Sequence, residues 1–185
     1  MRRLLLSAFL LLLLVPGLVL ARGPSVGELA PGLLGQDPDG KPVTLDAWRG
    51  KLVVVSFWTS RCGYCLVELP TLENLQKAVG SEHLQVVVVN VNDSSKDWTT
   101  MLKQMRGYSL AQARDPAGAV ASAWGVQMFP NLWLVGPDGR LQKHFEGYLE
   151  EDLPGILEQI QRAELAAFPR VPAPAPEATP ATPAR

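Results

Sequence analysis

Two near-continuous apolar runs, Leu52 to Val55 and Leu84 to Val91, stand in the middle of the chain. Both are short and valine-rich, which predicts strands of a sheet covered on both faces. Between them Leu66, Leu69, Leu72, Leu75 and Val79 recur at helical period, predicting a helix fed directly by the first strand. Pro70 should kink that helix, because its ring removes an N–H and crowds the preceding turn. Further on, Trp98, Met101, Leu102 and Met105 fall at i, i+3, i+4 and i+7. Ser94 and Asp97 stand before them at capping-box spacing, and Gly107 ends the run.

The flanks repeat the alternation. Leu33-Leu34 and Val43-Thr44-Leu45 bracket Asp39-Gly40 and read as a hairpin. Asp46 to Gly50 is one helical turn or a loop. Leu110 to Arg114 is a short strand and Ala117 to Trp124 a short helix closed by Gly125. Leu132 to Val135 and Arg140 to Glu146 form a second hairpin around Gly136-Pro137-Asp138-Gly139. Leu149 to Ala167, with Leu153, Ile156, Leu157 and Ile160 on one stripe, closes the domain as a helix that tolerates Pro154 in its first turn. The class is α/β.

At the amino end, Arg2-Arg3 precedes a leucine-rich run from Leu4 to Leu20 that Pro16-Gly17 interrupts, and Val19-Leu20-Ala21 has the form of a cleavage tripeptide. Residues 1–21 therefore read as a signal peptide or N-terminal anchor. Residues 22–167 form the domain. From Phe168 onward Pro, Ala and Thr dominate, and 168–185 reads as a flexible tail. The 17 Lys and Arg against 18 Asp and Glu give a net charge of −1. Nothing in that balance supports nucleic-acid binding.

Chemistry concentrates where strand meets helix. The two cysteines of the sequence, Cys62 and Cys65, sit at that junction. Unpaired N–H groups and the helix dipole favour negative charge at Cys62. Such a position lowers a thiol pKa from about 8.5 toward neutrality. Arg61 adds positive field. Cys62 is then the attacking thiol and Cys65, one turn deeper, the resolving one. A purely structural bridge would more usefully close a long loop. A zinc knuckle needs about four ligands, and neither His83 nor His144 has ligand spacing to the pair. Glu68 falls on the apolar stripe one turn below Cys65. A carboxylate there is costly unless paired or protonated, and such groups gather at functional sites, unless the Pro70 kink swings it to solvent.

Phe57-Trp58-Thr59-Ser60-Arg61-Cys62-Gly63-Tyr64-Cys65 resembles the signature of thioredoxin-fold disulfide oxidoreductases. More narrowly, the chain from about Gly27 to Ala167 resembles the TlpA/ResA branch of exported thioredoxin-like proteins. The lead-in (Gly27, Ala30-Pro31, Gly40, Leu45, Gly50-Lys51) fits its N-terminal hairpin, and Asn92 to Gly125 its central insertion. The resemblance implies a thioredoxin fold, with a mixed central sheet flanked by helices. It implies that Cys62 and Cys65 form a redox-active disulfide with no other cofactor and no metal. Glu68 tunes the thiols or handles protons. Pro130 is a cis-proline presenting the Phe129 backbone for strand-like pairing with substrate, and Trp58, Arg61, Tyr64, Phe129 and Pro130 line the substrate face. Arg61 stands where tryptophan is usual, Tyr64 where proline is usual and Asn131 where threonine is common. Ser56 takes the place of plain thioredoxin's buried aspartate. The first two departures leave the direction of electron flow open.

The implied activity is that of an exported, periplasmic enzyme, a monomer, reducing disulfides of specific proteins. Its substrates would be apocytochrome c or copper-site assembly proteins, and its electrons would come from a membrane thiol carrier. A thiol oxidase or isomerase is the nearest alternative. A copper-binding assembly protein using both thiolates, with Met128 assisting, is a different one. A peroxidase fits less well, since Val55 stands where its active-site proline would be.

Overall fold

A computed structural model describes residues 23–169. Both the 1–21 leader and all but the first two residues of the predicted tail lie outside them. Seven strands form one sheet in the order β2-β1-β5-β4-β3-β6-β7. They are β1 (Leu33–Gln36), β2 (Pro42–Thr44), β3 (Leu52–Trp58), β4 (Leu84–Val91), β5 (Ala111–Asp115), β6 (Asn131–Val135) and β7 (Leu141–Glu146). The helices are α1 (Gly63–Val79), α2 (Ser95–Gln104), α3 (Ala119–Ala123) and α4 (Leu153–Ala167).

The sheet is mixed. β3 runs parallel to β4, and β4 to β5, while β6 lies antiparallel to β3 and β7 to β6. The two valine-rich runs are thus its adjacent central strands, with Val54 opposite Val86. Every residue of both is buried, which explains why neither shows polar alternation. Alternate side chains enter opposite cores. Leu52, Val54 and Trp58 pack with α1, α2 and α4; Val53, Val55 and Phe57 pack with α3 and the first hairpin.

The segment from Asn92 to Gly125 supplies α2, β5 and α3, and β5 lies inside the sheet between β4 and β1. Gly35 in β1 has a φ of 119°, and a Cβ there would meet the Arg114 carbonyl oxygen at 2.5 Å, so only glycine lets β1 approach β5 this closely. The predicted cap of α2 is present, Ser94 Oγ accepting the Asp97 N–H at 3.1 Å. The closing helix begins at Leu153, where its apolar stripe starts, and not at the predicted Leu149, after a 3-10 turn over Glu150–Asp152. Phe168 stacks on His83 at 4.4 Å, and His83 Nδ1 lies 3.1 Å from Glu164. The aromatic ring at the start of the compositionally distinct tail is therefore part of the domain.

Candidate active site

β3 ends at Trp58, and four residues later Cys62 caps α1. The Cys62 N–H donates to the Thr59 carbonyl at 3.1 Å and the Leu66 N–H to the Cys62 carbonyl at 3.2 Å. The Cys65 N–H points at Cys62 Sγ, 3.1 Å away. An N–H aimed at sulfur, at a helix N-terminus, stabilises charge on that sulfur and depresses its pKa. Cys62 and Cys65 are disulfide-bonded, with Cα atoms 5.2 Å apart. Cys62 is half-buried, whereas Cys65 has no exposed surface. One sulfur is open to a partner and the other is shielded behind it.

Two buried carboxylates flank this pair. Glu68, one turn along α1 from Cys65, is wholly buried. Ser56 Oγ in β3 donates to its Oε2 at 3.1 Å, and the Tyr148 hydroxyl, just past β7, donates to its Oε1. Burial pushes the carboxyl up from 4.5, the bonds from Tyr148 and Ser56 pull it part of the way back, and it settles at about 7. Burial and the Glu68 charge drive the Tyr148 hydroxyl far above its ordinary range. Asp93, just past β4, takes the other flank. It accepts from Thr59 Oγ1 at 2.6 Å, from the Ser60 N–H at 2.8 Å and from Asn90 Nδ2 at 2.7 Å. Burial alone would raise its carboxyl, but these bonds outweigh that and hold it below the usual range.

The Phe129-Pro130 peptide is cis. Pro130 is buried and its carbonyl accepts the Gly147 N–H at 2.9 Å. Phe129 is half-buried, and no backbone hydrogen bond among the described residues uses its N–H or C=O. Met128 is exposed and covers Gly147, whose missing Cβ leaves room for the thioether. Arg61 and Tyr64 are exposed on either side of Cys62.

One expectation is corrected. Trp58 has no exposed surface and lies in the core that also holds Cys65, Leu69 and Leu132, so it does not line the exposed face around Cys62. The histidines stand elsewhere: His83 pairs with Glu164, and His144 stacks on Trp133 at 3.7 Å. Among the described residues no cluster of three or more His, Cys, Asp or Glu side chains could hold a metal ion. Two contributors escape the sequence reading. Asp93 carries a weak signal, since it follows the strand parallel to the one that leads into the cysteines, and such strand ends gather site residues. Tyr148 carries none, because its reach to Glu68 spans 80 positions.

A sheet of this order with a bonded pair capping the helix after its central strand defines a thioredoxin-fold thiol-disulfide oxidoreductase. Residues 25–160 match the Redoxin family, and the chain belongs to it. It is 30% identical over 129 residues to the thiol-disulfide oxidoreductase ResA of Bacillus subtilis, covering 70% of this chain and 72% of that protein. It is 31% identical to the thiol:disulfide interchange protein CycY of Rhizobium leguminosarum, over 64% of this chain and 68% of that one. Among solved structures it is similar to a Chlorobium tepidum protein assigned as thiol:disulfide interchange protein DsbE. The TM-score there is 0.69 at 27% identity, covering 76% of this chain and 98% of that one.

Proposed function

We propose that the protein is an exported enzyme that reduces disulfides of specific protein substrates, with Cys62 and Cys65 as its only redox centre. In the reduced state the Cys62 thiolate attacks one sulfur of the substrate disulfide. An S–S bond forms to Cys62, and the substrate's other sulfur leaves with the electron pair. Cys65 gives its proton to the Glu68 carboxylate and attacks Cys62 Sγ. The internal disulfide re-forms and the second substrate thiolate departs. Two electrons pass to the substrate; a membrane thiol carrier returns them.

The single observation that carries this reading is the asymmetry of the pair. A half-buried sulfur at a helix N-cap is bonded to a fully buried one on the same helix. Arg61 and Tyr64 flank the approach, and the unpaired Phe129 backbone beside Pro130 offers strand-like pairing to an extended substrate. Apocytochrome c and copper-site assembly proteins, each presenting a cysteine pair, are the substrates that fit. The protein acts as a monomer in the periplasm, delivered there by residues 1–21.

The test is insulin-disulfide reduction by the full chain. Cys62→Ala abolishes it, and a variant that keeps the wild-type rate overturns the assignment. A glutathione redox titration with thiol trapping then fixes direction. A potential near the reducing end of the ~−270 to −120 mV spanned by this fold supports the reductase, and one near the oxidising end makes the protein an oxidase.

A further inference from the structure

A buried acid that accepts a proton must also lose it. Glu68 and Ser56 both have no exposed surface. Ser56 stands in β3 between β4 and β6, and its hydroxyl faces the closed core between the sheet and α1. The other partner, Tyr148, is 8% exposed. It lines an open hollow of about 360 Å³ beside α4, whose walls also carry Glu146, Asp152 and Gln159. Of the two residues bonded to Glu68, Tyr148 alone has exposed surface and borders the hollow.

We propose that Tyr148 is the proton exit of Glu68, a positioning residue that paces the resolving step. The inference rests on the reading of Glu68 as the acceptor for the Cys65 proton. Once Glu68 is protonated, its proton passes to the Tyr148 oxygen while the Tyr148 hydroxyl proton passes to water in the hollow. Tyr148 stays neutral throughout, as its strongly raised pKa requires. The hydroxyl then rotates back to donate to the carboxylate. No electrons move and one proton leaves. The ionisable groups facing the route are Cys65, one turn before Glu68 on α1, and Glu146 and Asp152 on the wall of the hollow.

The experiment mixes the reduced full-length protein with dithiobis(nitrobenzoate) in a stopped-flow instrument. The first nitrothiobenzoate released reports attack by Cys62, and the second reports resolution by Cys65. Near pH 7 about half of the Glu68 side chains carry a proton. Wild type gives a single second phase. In Tyr148→Phe that phase splits in two: ionised molecules resolve at the wild-type rate, and protonated ones lag at least tenfold. Added imidazole, small enough to enter the hollow, restores the slow fraction. Ser56→Ala removes a hydrogen bond of the same kind and shifts the pH midpoint without splitting the phase.

A Tyr148→Phe second phase that stays single, or a split of equal size in Ser56→Ala, overturns the proposal. Should Tyr148→Phe not fold, the wild-type second phase below pH 7 decides: it slows in D2O more than the first phase, and equal slowing overturns the exit. Glu68→Gln separates the two levels. If its second phase matches wild type at every pH, the acceptor role of Glu68 fails. If it is slowed while Tyr148→Phe stays single, only the exit fails.

Discussion

Glu68 and Asp93 are both buried carboxylates that flank the cysteine pair, yet their chemistry diverges. Glu68 is held by two hydroxyls, from Ser56 and Tyr148. Asp93 is held by a hydroxyl, a backbone N–H and an amide NH2. Two donors fail to offset desolvation and the acid is pushed up to about 7; three more than offset it and the acid is held below its ordinary range. Deeper burial with fewer donors separates a group able to exchange a proton near neutrality from a fixed anchor. The anchor grips Thr59 and Ser60, immediately ahead of Cys62, and the exchanger sits one turn beyond Cys65. Each side of the disulfide thus has its own acid.

The hardest blow to this pairing is Asp93→Ala. It leaves the Ser60 N–H, Asn90 Nδ2 and the Thr59 hydroxyl without their acceptor. An orphan left buried, as Asn90 Nδ2 would be, costs about 1–3 kcal/mol, and the half-buried Thr59 and Ser60 donors cost less because water reaches them. We expect a loss of about 3 kcal/mol in urea unfolding, with slower attack by Cys62 because its loop is no longer tied to β4. A loss under about 1 kcal/mol removes Asp93 as anchor.

Stability against pH separates the two acids more sharply, because their signs oppose. The Glu68 carboxyl is raised from 4.5 to about 7 in the fold. Below pH 4.5 it is protonated in both folded and unfolded chains. Between 4.5 and 7 the unfolded chain ionises first, so stability falls as pH rises, by roughly 3 kcal/mol in all, and is flat beyond. Asp93 is depressed below 3.8, so its contribution is present above that value and is lost as pH falls through the folded pKa. Glu68→Gln should erase the decline between pH 4.5 and 7 and keep the acid limb. Unfolding midpoints across that range check it, and a wild-type curve flat from 4.5 to 7 refutes the raised pKa.

How much of this was legible in the sequence follows from the range of the interactions. The strand Leu84 to Val91, the hairpin turn at Asp39-Gly40 and the cap at Ser94 are local or periodic, and each lies where its residues place it. The cysteines and Glu68 were legible because one helix carries all three, and helical spacing fixes their faces. Pro130 and Phe129 needed resemblance, since β6 joins β3 across 74 positions in the Phe57–Asn131 pairing. Tyr148 and Asp93 act through contacts between separate elements, which no local period encodes. Trp58 was misplaced for a related reason: its neighbours in sequence bear the chemistry, but the strand's alternation turns its ring into the core.

The smallest expected effect tests the donor count directly. Ser56→Ala leaves Glu68 with Tyr148 as its one remaining donor and opens no large cavity, since only a hydroxyl is removed. The lost bond had stabilised the charged form, so the Glu68 midpoint moves above 7 and the ionised enzyme is destabilised. A net hydrogen bond to a charged group is worth about 1.5–3 kcal/mol. Because the carboxylate keeps its second partner and the site can relax, we expect the lower end. At about 1.4 kcal/mol per tenfold change in proton affinity, the midpoint then rises by about one on the pH scale. Infrared difference spectroscopy of the Glu68 carboxyl across pH, with Glu68→Gln identifying the band, reads that midpoint without relying on turnover. A midpoint unmoved in Ser56→Ala would mean that burial and Tyr148 alone set Glu68, and the contrast with Asp93 would then rest on position in the fold and not on the number of donors.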